Sequence, residues 1–121
     1  MTETELFKLN HRQERRHQNR VALIEATLDT IAKKGFSGTS VSAIIERANL
    51  SRGMIHLHFG GKDNLIEEAA HHSSDAYFTG LENALSRSGI SPQEQIAAVI
   101  SNDLSDEMLN ERTVRVWYAI S

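Results

Sequence analysis

His56 and His58 lie two residues apart, and His71 and His72 are adjacent. On a helix neither spacing aims both imidazoles at one point, so neither pair reads as a metal site. Glu68 and His71 have the i, i+3 spacing of a carboxylate-bridged site, but in a helical bundle such a site needs matching ligands from other helices. The chain has no cysteine, which excludes a thiolate zinc site and a disulfide framework. It contains no serine-centred elbow, phosphate-binding glycine loop or paired-carboxylate context, so no enzyme, metal or cofactor is expected.

The residues with the most informative spacing are 40 to 59, SVSAIIERANLSRGMIHLHF. Val41, Ile44, Ile45, Leu50, Ile55 and Phe59 recur as the inner faces of two short helices held at a fixed angle. That leaves Ser51, Arg52, Gly53, Met54, His56 and Leu57 on or near the outward side of the second helix. Such a rod fits the major groove of B-form DNA, which is about 12 Å wide. An ordinary helical hairpin has the same spacing. Gly53 costs a helix roughly 1 kcal/mol relative to alanine, which is understandable where a DNA backbone or a neighbouring helix comes close.

Helices are also the elements that must position these groups. Val21, Ile24, Leu28 and Ile31, widened by Leu23 and Thr27, form a stripe on a first helix starting between Asn10 and Gln18. Gly35 suits a left-handed stop, and Lys33 and Lys34 complement the negative end of the dipole. Ser37-Gly38-Thr39-Ser40 forms a turn ending in a capping hydroxyl, before a helix from about Val41 to Ala48. Asn49 tolerates a left-handed turn, Leu50 anchors it, and Ser51 can cap a helix through about Phe59.

After Gly60-Gly61, Lys62 opens a long helix carrying Leu65, Ile66, Ala69, Phe78, Leu81 and Leu85, followed by a loop from Ser86 to Ile90. Ser91-Pro92-Gln93-Glu94 reads as a capping box ahead of Ile96, Ala97, Val99, Ile100 and Leu104. A polar loop from Ser105 to Arg112 leads into an apolar sixth helix, Thr113 to Ile120. No strand pattern occurs, so the fold class is all-α.

The 121 residues, 40% of them apolar, suit one compact domain or a small domain plus part of a second. No stretch approaches the roughly 18 apolar residues of a membrane span, and the polar first twenty residues lack a secretory signal. A soluble, cytoplasmic protein without membrane attachment is expected. The net charge of −3 conceals +4 through residue 62 and −7 beyond it. A basic front half on an acidic back half is a better nucleic-acid candidate than the total suggests, although a solvated basic face gives the same count.

The combination Gly35-Phe36, Thr39-Ser40-Val41, Ile44, Ala48, Leu50-Ser51, Gly53, Ile55, His58-Phe59, Lys62 and Leu65 resembles the DNA-binding domain of the tetracycline-repressor family. Leu23-Ile24, Ala26-Thr27-Leu28, Phe59-Gly60-Gly61-Lys62-Asp63 and Val116-Trp117 with Ala119 are most similar to its choline-sensing repressors of glycine betaine biosynthesis. The resemblance spans roughly residues 12 to 121. It implies a ligand-responsive repressor acting on a double-stranded DNA operator. The implied organisation is a flexible arm over 1–11, a helix-turn-helix domain over 12–62, and the first helices of an incomplete regulatory bundle over 63–121.

Carried onto this chain, the resemblance gives Thr39 and Ser40 a phosphate at the start of the second helix, and Arg52 a bidentate contact to guanine. Ser42 faces the same groove, and Ser51, Gly53 and Met54 belong to the docking helix. His58 neighbours a phosphate or base, and Lys62 binds phosphate. The chain departs from the family at His56, where a tyrosine is common, and at Leu57, whose contact must be apolar, such as a thymine methyl. Asn49 replaces a common turn glycine. Arg12, Arg15, Arg16 and Arg20 could reach phosphates or the minor groove, or be merely solvated.

Trp117 and Tyr118 could line a pocket for a choline-like quaternary ammonium, or be core aromatics of the sixth helix. Family members dimerise through later helices, so a homodimer is implied for a full-length protein. The apolar ending suggests a truncated chain. The alternative function is an all-α protein-interaction module, or an inactive remnant that pairs with a full-length relative.

Overall fold

A computed structural model describes residues 1–120, and every element in them is an α-helix. The order is α1 (Glu3–Lys34), α2 (Val41–Ala48), α3 (Arg52–Phe59), α4 (Lys62–Arg87), α5 (Pro92–Asp103) and α6 (Glu111–Ile120).

Helix α1 starts well before the Asn10–Gln18 window, and the segment expected to be a flexible arm is helical from Glu3. The reason is local. Thr2 Oγ1 accepts the Glu5 amide at 3.1 Å, and Glu3 and Glu5 complement the positive end of the dipole. The following residues are largely good helix formers, so the turns persist without burial, and Met1 to Gln18 are all exposed. At the other end Gly35 donates its N–H to Ile31 O at 2.8 Å with φ 72° and ψ 179°. That is a glycine conformation, but not the left-handed helical one that sequence suggested.

Burial begins at Leu23. Leu23, Ile24, Ala26, Leu28 and Ile31 meet Ile44 of α2, Ile55 and Phe59 of α3, Leu65 and Ala69 of α4, and Val116 of α6. The inner stripe is centred on Leu23 and Thr27, which leaves Val21 on the margin and exposed. Thr27 and Thr30 satisfy their hydroxyls by donating to Leu23 O and Ala26 O, each at 2.7 Å. The far end of the chain folds back on its first helix, where Arg112 pairs with Glu25 at 2.5 Å and Asp29 at 3.1 Å. Helix α6 begins at Glu111, inside the expected loop, and Asn110 Oδ1 accepts the Thr113 amide at 2.9 Å.

Helix α5 has its expected cap, with Ser91 Oγ accepting the Glu94 amide at 3.2 Å and Pro92 in the first turn. Its apolar residues do not form a core. Ile96, Ile100 and Leu104 are each more than half exposed, as is Phe78 of α4. No described helix is long and apolar enough to cross a membrane.

Candidate nucleic-acid interface

The two short helices have the expected bounds, and the reasons are visible in their caps. Ser40 Oγ accepts the Ala43 amide at 3.1 Å to start α2, and Ile44 anchors that helix with no exposed surface. Asn49 closes it at φ 55° and ψ 43°, the left-handed conformation expected of it. Leu50 is only half-buried, but its amide returns to Ile45 O at 3.2 Å and tightens the turn. Ser51 stands at the N-cap of α3 without a side-chain cap bond, so its exposed hydroxyl is not used by the helix. Gly60, at φ 77°, ends α3 by donating to His56 O at 2.9 Å.

Ile55 and Phe59 hold the inner side of α3, and Met54 packs half-buried against the same core. Ser51, Arg52, Gly53, His56 and Leu57 are exposed, Leu57 at 68%. Arg52 Nη2 donates to Ser42 Oγ at 3.1 Å, which brings the candidate base-reading arginine of α3 onto the exposed side of α2. Lys62 is exposed at the first position of α4, after the Gly60-Gly61 turn.

Thr39 is placed differently from the expectation. It is only 1% exposed, and its hydroxyl donates to Gly35 O at 2.7 Å. A carbonyl left open by the end of α1 takes the group that was expected to meet a phosphate. Its neighbour Ser40 remains exposed.

Gly53 is not required by the protein's own packing. A Cβ there would meet only Ser51 Oγ, at 3.9 Å, so no neighbouring helix makes the close approach. Gly53→Ala is therefore expected to raise the thermal midpoint, by up to about 1 kcal/mol of stability, while weakening DNA binding. Melting and duplex titration of the same sample check both signs. A variant that is both more stable and fully active would remove any steric role for Gly53.

Arg20 has a role that sequence did not distinguish from that of Arg12, Arg15 and Arg16. It donates to His58 O at 2.6 Å, pairs with Glu68, and lies 4.3 Å above the Phe59 ring centroid. One guanidinium thus ties α1 to the end of α3 and to α4, and fixes the angle at which α3 projects. Its partners are 38 and 48 residues away, beyond the reach of any local pattern. His58 is half-buried, and that burial pushes its imidazole below the usual histidine range, with the Arg20 and Arg16 charges adding to the effect. The shift favours the neutral imidazole, which still carries an N–H donor.

A concavity lies between α4 and α6. Tyr77 of α4 and Trp117 of α6 stand edge to face, 6.1 Å apart and inclined by 71°. With Asp103, Met108, Leu109 and Val114 they line a cavity of about 360 Å³. The Tyr77 phenol is raised above its ordinary value, first by its hydrogen bond to Asp103, then by burial and by the Asp103 charge. Tyr118 does not join Trp117 there and is 85% exposed, because successive residues on a helix point in different directions. Tyr77 and Asp103 were not legible as partners of Trp117, since they come from two other helices. Among the described residues no group of three or more His, Asp or Glu could hold a metal ion.

Comparison with known proteins agrees with this geometry. Residues 23–69, from the first core leucine to the buried Ala69, match the family described as bacterial regulatory proteins, tetR family. The HTH-type transcriptional regulator BetI of Burkholderia thailandensis is 30% identical over 93% of this chain and 55% of its own length. BetI of Burkholderia cenocepacia is 29% identical over 86% of this chain and 54% of its own. This chain therefore spans about half the length of the curated relatives it matches. Among solved structures, a protein of Pseudomonas aeruginosa PAO1 assigned as a transcriptional regulator superposes with a TM-score of 0.76 at 31% identity, covering 85% of this chain and 50% of that one. A transcriptional regulator of Rhodococcus sp. Rha1 does so with a TM-score of 0.69 at 27% identity, over 83% and 52%. The helix-turn-helix region of this chain is thus similar to the bacterial regulatory proteins of the tetR family.

Proposed function

We propose that this chain is a sequence-specific, ligand-responsive transcriptional repressor, cytoplasmic and non-catalytic, that docks α3 in the major groove of an operator. One observation carries the reading. The core grips α3 only from within, at Ile55 and Phe59, and leaves Ser51, Arg52, Gly53, His56 and Leu57 uncovered on its outward side. In this arrangement Arg52 reads guanine, Leu57 meets a thymine methyl, and Ser42 lies beside them in the groove. Ser40, His56, His58 and Lys62 bind phosphates. Thr39 and Met54 support the two helices from the inner side. Residues 12–62 form the DNA-binding unit, preceded by the helical extension over 1–11, and 63–121 begin the effector domain. A dimer would pair two such recognition helices on one operator.

The effector is a choline-like cation in the Tyr77–Trp117 cavity. Two aromatic faces attract a quaternary ammonium, and Asp103 supplies the compensating charge. The experiment follows anisotropy of a labelled duplex, selected from a random pool by this protein, against a scrambled duplex, with choline added to a parallel sample. The expected result is tighter binding of the selected duplex over a non-specific background of roughly 10⁻⁴–10⁻⁶ M that weakens steeply with salt. Choline is expected to change the emission of Trp117, the sole tryptophan. Absence of duplex binding even at low salt would overturn the DNA reading in favour of a protein-interaction module. An unmoved emission spectrum would reject the cation pocket alone.

A further inference from the structure

The arginines differ in what holds them. Arg20, Arg47, Arg112 and Arg115 each pair with a carboxylate and are committed to the fold. Among the described residues Arg12, Arg15 and Arg16 pair with none, and the nearest polar partner of Arg15 is His11 Nε2 at 3.4 Å. All three stand exposed on the helical extension of α1.

Their position relative to α3 is set by one member of the row. Residues 12, 16 and 20 recur every four positions and share a face of α1. Arg20 on that face touches the His58 carbonyl and the Phe59 ring of α3. The row therefore runs outward from the recognition helix, and a rise of 1.5 Å per residue puts Arg12 about 12 Å beyond Arg20 along the axis. Gln13, Arg16, His17 and Arg20 of α1 line one open groove with Leu57 and His58 of α3, about 430 Å³ in volume. The wall that α3 contributes is the side of the rod that carries exposed Leu57.

We propose that this groove seats the phosphate backbone bordering the major groove that α3 enters, with Arg16 at its wall and Arg12 and Arg15 neutralising phosphates farther along the same strand. Helix α1 is then a second DNA-binding element, rigid and helical, that lengthens the footprint without reading sequence. The inference rests on the docking proposed above for α3. An anionic membrane would need the cations on an amphipathic face of their own. Here Arg16 instead shares a groove with the recognition helix, which favours nucleic acid.

The test compares the full chain with Arg12→Gln/Arg15→Gln/Arg16→Gln, using the selected and scrambled duplexes over a series of salt concentrations. Each lost phosphate contact lowers the slope of log K against log salt by about 0.9. The expected change is a slope shallower by roughly 2–3, with both duplexes weakened by the same factor and their ratio preserved. The matching triple lysine variant keeps the charge and is expected to keep the slope. An unchanged slope in the glutamine variant, with its melting curve intact, overturns the proposal. So does a changed preference ratio, which would mean that these arginines read bases. Binding of neither duplex by the unaltered chain would instead overturn the docking of α3, a separate failure that takes this inference with it.

Discussion

Arg52→Ala is expected to erase most of the preference between a selected and a scrambled duplex, while leaving the salt dependence of binding almost unchanged. A bidentate arginine–guanine contact is worth about 1–3 kcal/mol of discrimination, roughly five- to more than a hundredfold in the affinity ratio. Arg52 opens α3, where side chains reach deepest into the groove, and nothing in the core depends on it. Its hydrogen bond, at 3.1 Å to Ser42 Oγ, holds the guanidinium against α2. Ser42→Ala should therefore reproduce part of the loss by freeing Arg52, with no change in the number of phosphates neutralised. Anisotropy titrations of both variants against both duplexes settle the assignment. If Arg52→Ala lowered affinity for the two duplexes equally, Arg52 would be a phosphate contact and sequence would be read elsewhere on α3.

Ile44→Ala is expected to destabilise the fold by about 2–5 kcal/mol, the usual range for deleting a buried aliphatic side chain and leaving a cavity. A small domain holds only about 5–15 kcal/mol in reserve, so this one change removes a large share of it. Ile44 has no exposed surface and is the one fully buried side chain of α2. The exposed Arg47–Asp29 pair, 3.1 Å apart, can contribute only weakly to holding α2 on α1. Urea titration followed by circular dichroism gives the stability loss. Duplex binding by the fraction still folded should remain, because the outward side of α3 is untouched. A denaturation midpoint equal to that of the unaltered chain would show that α2 is held by something other than its buried face.

The bounds of α2 and α3 were legible because each is marked by residues whose chemistry is local. A serine hydroxyl precedes each helix, Asn49 follows one and Gly60 the other, and the apolar residues between have helical spacing. The start of α1 was misread because periodicity reports burial, and an exposed helix has no stripe to report. Thr2 and the first-turn glutamates were the signals present. The apolar residues of α5 were visible as a stripe, yet they remain exposed, because periodicity shows that a face is apolar but not what covers it.

The candidate site divides along the same line. Spacing alone places Ser51, Arg52, Gly53, Met54, His56 and Leu57 on or near the outward side of α3; all are exposed except Met54, which packs half-buried against the core. Thr39 and Ser40, adjacent hydroxyls in one turn, looked equivalent. The fold sent one inward to Gly35 O and left the other outside.

The sequence by itself therefore determined α2, α3 and the tight turn between them, since caps, left-handed turns and 3.6-residue periodicity act within a few residues. Tertiary structure alone decided which cations serve the fold. Arg20 reaches α3 and α4, whereas among the described residues Arg12, Arg15 and Arg16 find no carboxylate partner. It also decided that Tyr77 and Asp103, not Tyr118, share a cavity with Trp117. These outcomes depend on which faces of distant helices meet, and no local spacing encodes that.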